Sequence, residues 1–215
     1  MEESLRRIAS ASLSCAQWIE TNKQRSNFTE AVRMILVATA GFVEMAAPEN
    51  VPIQVLALVT RNVFELQIRL THICQSEENL LLWIGEALVD RADVYEGILE
   101  GAPEWAERSL VERELDRTRA AAERHGIDIT KRPLNVRALA KAVGQESEYT
   151  RMYKLYSKLV HPTSYAVNYP KEEIDGLLHR SVLNTLAQLY AHHVIARARE
   201  QMQIPAELMD QWLFE

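Results

Sequence analysis

"RNVFELQIRLTHI", residues 61–73, decides how the rest of the chain is read. Arg61, Glu65, Arg69 and His72 recur at steps of four, four and three, so a helix places them in one row on one face. Leu56, Val59, Val63, Leu66 and Leu70 form the opposite face, and Leu58, Phe64 and Ile68 flank or interleave with the charges. A helix apolar nearly all round is buried. The stretch therefore predicts an interior helix from residue 53 to about residue 74. Arg61 and Glu65 become an interior ion pair, because a buried guanidinium and carboxylate must be paired and hydrogen-bonded.

Outward from this helix the pattern stays helical. Residues 4–21 and 29–46 repeat apolar side chains at three and four, separated by "TNKQRSN", with Thr29 or Asn27 as the cap. After the polar "QSEEN" a further helix runs to the stop "GAP" at 101–103. "EWAERSLVERELDRTRAAAERHG" is a charged helix with a mixed-sign, solvated face, stopped by Gly126. Asn135 caps a short helix ended by Gly144, and Ser147 opens the next. A final long helix, "KEEIDGLLHRSVLNTLAQLYAHHVIARAREQMQ", is closed by Pro205.

With 7 glycines and 7 prolines the punctuation is too sparse for a many-stranded sheet. The expected fold is all-α, a bundle of six to eight helices with a long C-terminal helix. Residues 1–203 read as a single helical domain. Residues 204–215 read as a short helical tail in which Leu208, Met209, Trp212, Leu213 and Phe214 make a docking element.

Composition restricts function. At 47% hydrophobic and 25% charged, 215 residues can bury a sizeable core. A formal charge of -6 argues against broad nucleic-acid or anionic-membrane binding. Cys15 and Cys74 lack CxxC spacing, so neither a zinc site nor a disulfide framework is signalled. "MEESLRRIASASLSC" has no apolar signal core, and "MILVATAGFVEMAA" is interrupted by Glu44, so no membrane segment is expected and the protein is placed in the cytoplasm. No ExxH, HExxH, Walker loop or GxGxxG occurs, and no metal or cofactor is expected. The adjacent His192 and His193 point apart on a helix. "LAKAVGQESEYTRMYK" loosely resembles a helix-turn-helix, but Thr150 falls where an aliphatic residue is wanted, which argues against DNA as a partner.

A second polar row lies in "YKLYSKLVHPTSYAV", residues 153–167, where Tyr153, Ser157 and His161 are four apart. Pro162 disfavours helical geometry at His161, so the helix ends there, beside Thr163 and Ser164. A capping role explains each of these residues. If this helix packs on the Arg61 helix, a histidine, an arginine, a glutamate and a serine converge in one cleft.

The two rows, R-x-x-x-E (Arg61, Glu65) and Y-x-x-x-S-x-x-x-H-x-T (Tyr153, Ser157, His161, Thr163), resemble an uncharacterised group of bacterial all-helical proteins. That group is similar in turn to the HEPN-type helical domains of toxin and phage-defence systems. The resemblance covers residues 50–200 and implies a HEPN-like bundle. HEPN ribonucleases carry an arginine shortly before the histidine, whereas the nearest one before His161 here is Arg151.

Two functions stand. The first is a non-catalytic interaction or regulatory subunit, with a protein partner or a second copy of itself and a buried polar cluster of Arg61, Glu65, Ser157 and His161. The second is a metal-independent ribonuclease acting on RNA, with His161 as general acid or base, Glu65 beside it, and Arg61 or Arg69 stabilising the phosphate. Arg69, His72, Tyr153, Ser157 and Thr163 are the candidate binding residues in either case.

Overall fold

The computed structural model describes residues 2–101, 106–130, 132–168 and 170–208. Among them are ten helical segments, of which eight have seven residues or more, and no strand. The all-helical bundle expected from the periodicity is what is found. The residues fall into two compact units, one holding Met1–His72 with Val136–Glu215 and the other Ile73–Asn135.

The larger unit is built on four long helices: α1 (Glu2–Asn22), α2 (Asn27–Ala46), α3 (Ile53–Ile73, its last residue in the smaller unit) and, late in the chain, a helix at Leu177–Met202. The short link between α1 and α2 turns the chain back on itself, and the buried Ser12 hydroxyl donates to Leu36 O across them at 2.8 Å. The late helix runs parallel to α1, because Ser4 meets Gln188 and Cys15 meets Arg199 at the same sequence offset. It also runs parallel to α3: Arg180 donates to Val51 O, Thr60 to Leu183 O, and Phe64 stacks on Tyr190 at 4.8 Å. Leu5, Ile35, Leu56 and Leu183 are among the side chains buried between these helices. Burying one such side chain stabilises by about 1.5–3 kcal/mol. Cys15 lies in this core, and burial pushes its thiol up to about 11, against the weaker pull of Arg199.

Local chemistry sets the helix ends. The cap of α2 is Ser26, whose hydroxyl accepts from Thr29 N while Thr29 Oγ1 accepts from Ser26 N. Thr29, expected as the cap, is instead the third helical residue of this reciprocal box. Between α3 and the late helix the larger unit holds α6 (Val136–Ala142), α7 (Glu146–Val160), α8 (Ser164–Asn168) and α9 (Lys171–Ile174). The last two separate α7 from α10, the late helix at Leu177–Met202.

The expected single helix from residue 171 is therefore broken. At Gly176 the backbone is extended, and a Cβ there would stand 3.1 Å from the carbonyl oxygens of Glu172 and Glu173. His179 Nδ1 sits 3.1 and 3.0 Å from Glu173 O and Ile174 O, so as a donor it satisfies the carbonyls that the break exposes. The remaining 26 residues span about 39 Å. Gln203, with φ of 56°, closes α10 by donating to Arg199 O.

The smaller unit is a hairpin of α4 (Glu77–Gly101) and α5 (Arg108–Arg124). Arg108 donates to Leu99 O at one end, and Gly85 packs against Ile127 at the other, so the two helices are antiparallel. Val111, Leu115, Thr118 and Ala122 line the buried side of α5. Its charges lie outside, in pairs such as Arg91 with Glu114 and Arg119 with Glu96. Exposed pairs of this kind are screened by water and add little to stability.

Among the described residues no helix is long and apolar enough to cross a membrane. Leu208 is the last described residue, so of the docking tail expected at 204–215 the part from Met209 onward, with Trp212, Leu213 and Phe214, lies outside the described residues.

Candidate functional site

The two polar rows meet at Arg61 and Tyr153. Arg61 projects from the middle of α3 and Tyr153 from the middle of α7. The guanidinium carbon stands 5.0 Å from the centre of the phenol ring. Glu65, one turn along α3, accepts from Arg61 Nε at 2.9 Å. Tyr149, one turn back along α7, packs against Tyr153 with ring centroids 4.5 Å apart and the planes tilted by 32°. The result is a layered cluster: two phenol rings, a guanidinium and the carboxylate that orients it.

The cluster is half-buried, with 22% of the Arg61 side chain and 20% of the Glu65 side chain exposed. This departs from the fully interior pair that the apolar surroundings predict. Burial lowers the affinity of Arg61 for its proton, yet the hydrogen bond and charge of Glu65 outweigh burial and hold its pKa above the usual value. Burial raises Tyr149, helped by the neighbouring phenol of Tyr153. Arg61 is thus a permanent cation and Tyr149 a neutral phenol. A cation over an aromatic face is worth about 0.5–2 kcal/mol, more as water is excluded.

Arg61 commits only Nε to Glu65. Its two terminal nitrogens donate to nothing among the described residues. The site therefore offers a fork of N–H groups, a flat aromatic wall behind it, and a second carboxylate oxygen on Glu65.

Beside the cluster two buried tyrosines lead to a half-exposed carboxylate, Glu148, which Arg151 also approaches at 3.7 Å, a chain that the sequence did not disclose. Tyr190 of α10 donates to Glu148 Oε1 of α7 at 2.7 Å, and its oxygen is 3.2 Å from the hydroxyl of Tyr156. The single proton of Tyr190 is committed to the carboxylate, so Tyr156 must be the donor to Tyr190. Tyr156 is fully buried and Tyr190 nearly so. Burial above all raises both phenols above their ordinary pKa. The chain Tyr156 to Tyr190 to Glu148 fixes α7 on α10 and so sets the angle at which Tyr149 and Tyr153 face Arg61. Tyr156 falls on the apolar side of α7, with Met152 and Leu159 at helical spacing. Glu148 reads only as an acidic residue in a first helical turn, and no signal links it to a tyrosine on another helix.

The other expected site residues spread out. Helix α7 ends at Val160, as Pro162 requires, and His161 is extended and exposed, two turns or about 12 Å beyond Tyr153. Its imidazole makes no hydrogen bond among the described residues, and it is not brought beside Arg61. Thr163 caps locally, donating to Lys158 O and accepting from Ala166 N. Ser157 is half-buried, with its backbone oxygen accepting from His161 N. Arg69 is half-buried on α3, and His72 is buried and held below the usual imidazole pKa by burial and then by the charge of Arg69. Among the described residues no group of three or more histidine, cysteine or acidic side chains is placed to hold a metal ion.

Residues 49–175, more than half of the chain, match the family described as "Family of unknown function (DUF5677)". The chain belongs to this family. The DUF5677 segment begins just before α3 and stops at the break after α9, so it contains Arg61, Glu65, Glu148, Tyr149, Tyr153, Tyr156 and His161, while Tyr190 lies beyond it. No curated protein and no solved structure matches the chain.

Proposed function

We propose that the protein is a helical interaction or regulatory subunit, of the kind used by prokaryotic defence or toxin-type systems, and that the Arg61, Glu65, Tyr149 and Tyr153 cluster is its contact point for a protein partner. The observation that supports this reading is the Arg61 guanidinium, braced by Glu65 and Tyr153 with its terminal N–H groups unoccupied among the described residues. Arginine and tyrosine carry much of the energy of protein interfaces, because they bring large contact area and polar reach at low cost in flexibility. The hydrogen-bonded chain from the buried Tyr156 and Tyr190 to Glu148 supplies the rigidity such an anchor needs.

The second reading is a metal-independent, HEPN-like ribonuclease. The exposed imidazole of His161, at the mouth of a helix C-terminus, favours it, since an acid or base for RNA must be reachable. The test is incubation of a mixed cellular RNA pool with the purified protein in chelator, beside folded His161→Ala. Intact RNA with both proteins is expected. Cleavage by the wild type that disappears in His161→Ala would overturn the interaction reading.

A further inference from the structure

We infer that the group recognised by Arg61 is a carboxylate presented by the partner protein, gripped end-on by the two terminal nitrogens of the guanidinium; this rests on the interaction reading above. Two sides of the guanidinium are already engaged. Nε is occupied by Glu65 at 2.9 Å, and the ring of Tyr153 covers one face at 5.0 Å. The outer edge makes no hydrogen bond among the described residues, and there two parallel N–H groups match the spacing of two carboxylate oxygens. The Arg61 side chain keeps 22% of its surface exposed, so the cluster opens to solvent.

Charge chooses between the oxyanions that could use such a fork. The chain carries a net charge of -6, which repels a polyanionic nucleic-acid backbone along its whole length. A single carboxylate meets only the local field, in which Arg61 is nearer than Glu65. Glu65 then has two opposing effects. It orients the guanidinium through Nε, and its negative charge competes with the incoming one. Removing that charge while keeping the side chain's shape should strengthen binding, which a purely structural ion pair would not do.

The test follows the Arg61 side-chain N–H resonances of the full-length protein by NMR at constant ionic strength. The probes are acetate, dimethyl phosphate as a monoanionic phosphodiester, and chloride. Acetate should shift the signals saturably, half-maximally at about 10–100 mM, as expected for one exposed charge-assisted bidentate contact. In Glu65→Gln the half-saturating concentration should fall roughly fivefold. Arg61→Lys, which keeps the charge but not the fork, should lose the saturable shift at the neighbouring tyrosines. An acetate effect no larger than that of chloride, tighter binding of dimethyl phosphate than of acetate, or no gain in Glu65→Gln would each overturn the inference. The proposed function fails separately: partner retention lost in Tyr153→Ala without carboxylate binding would sink only this inference, whereas retention unaffected by Tyr153→Ala would sink the interaction reading.

Discussion

The hydroxyl of Tyr190 donates to the carboxylate of Glu148 at 2.7 Å, joining α10 to the first turn of α7 across 42 positions of sequence. With Tyr156 behind it, this contact turns α7 into a fixed platform. The half-buried cluster of Arg61, Glu65, Tyr149 and Tyr153 is built on that platform.

Removing the middle of the chain should hurt most. Tyr190→Phe leaves the buried Tyr156 hydroxyl without a partner and takes one hydrogen bond from Glu148, which stays half-exposed beside Arg151, and should cost about 1–3 kcal/mol. Tyr156→Phe removes only the terminal donor and should cost about 1 kcal/mol. The double variant should cost less than the sum, because the two share one network. Urea unfolding of the three variants checks this; equal and additive losses would show that the hydroxyls do not act together.

Alkaline titration follows from the same two phenols. Burial raises Tyr156 and Tyr190 above the ordinary 10.0, so the folded state favours their neutral forms. Their contribution to stability is complete below pH 10 and is lost as pH rises beyond it. Phenolate absorbance should show these two of the 7 tyrosines ionising only as the protein unfolds. Ionisation of all seven in one early step, with the fold intact, would contradict their burial.

Acid should act through histidine. His72 and His192 are held below the ordinary 6.5, by burial first and then by the charges of Arg69 and His193 respectively. The folded state prefers both imidazoles neutral, so their contribution is complete above pH 6.5 and is lost as pH falls through the lowered values. His192→Gln should flatten the decline of stability below pH 6.5, measured by denaturant unfolding at each pH. An unchanged slope would mean that His192 is freely protonated in the fold.

Two glycines should respond oppositely to alanine. Gly144, between α6 and α7, has φ of +77°, a conformation that costs a side chain about 1–2 kcal/mol. Gly41 lies inside α2 with nothing within 4 Å of its missing Cβ, so Gly41→Ala should stabilise by up to about 1 kcal/mol. Thermal unfolding of the two variants gives the comparison directly.

The α3 row was legible because it depends on one helix alone: the spacing of Arg61 and Glu65 is itself the contact. The helix end at His161 was legible for the same reason, since Pro162 acts on its neighbour. The break at Gly176 was hidden, because it depends on how closely the chain passes the carbonyls of Glu172 and Glu173, and the residues on both sides keep a helical pattern. Also hidden was the Glu148 and Tyr190 contact, a pairing between distant segments. The meeting of Arg61 with Tyr153, and not with His161, depends on the register between two helices, which periodicity does not encode.

The central claim is that the Arg61 and Tyr153 face holds a protein partner. The most direct measurement is quantitative comparison of the proteins retained by tagged wild type, Tyr153→Ala, Arg61→Gln and His161→Ala expressed at equal level in the native cells, each shown by circular dichroism to be folded. One specific partner should be kept by the wild type and His161→Ala and lost from the other two. A partner kept by Tyr153→Ala and Arg61→Gln but lost from His161→Ala would contradict it.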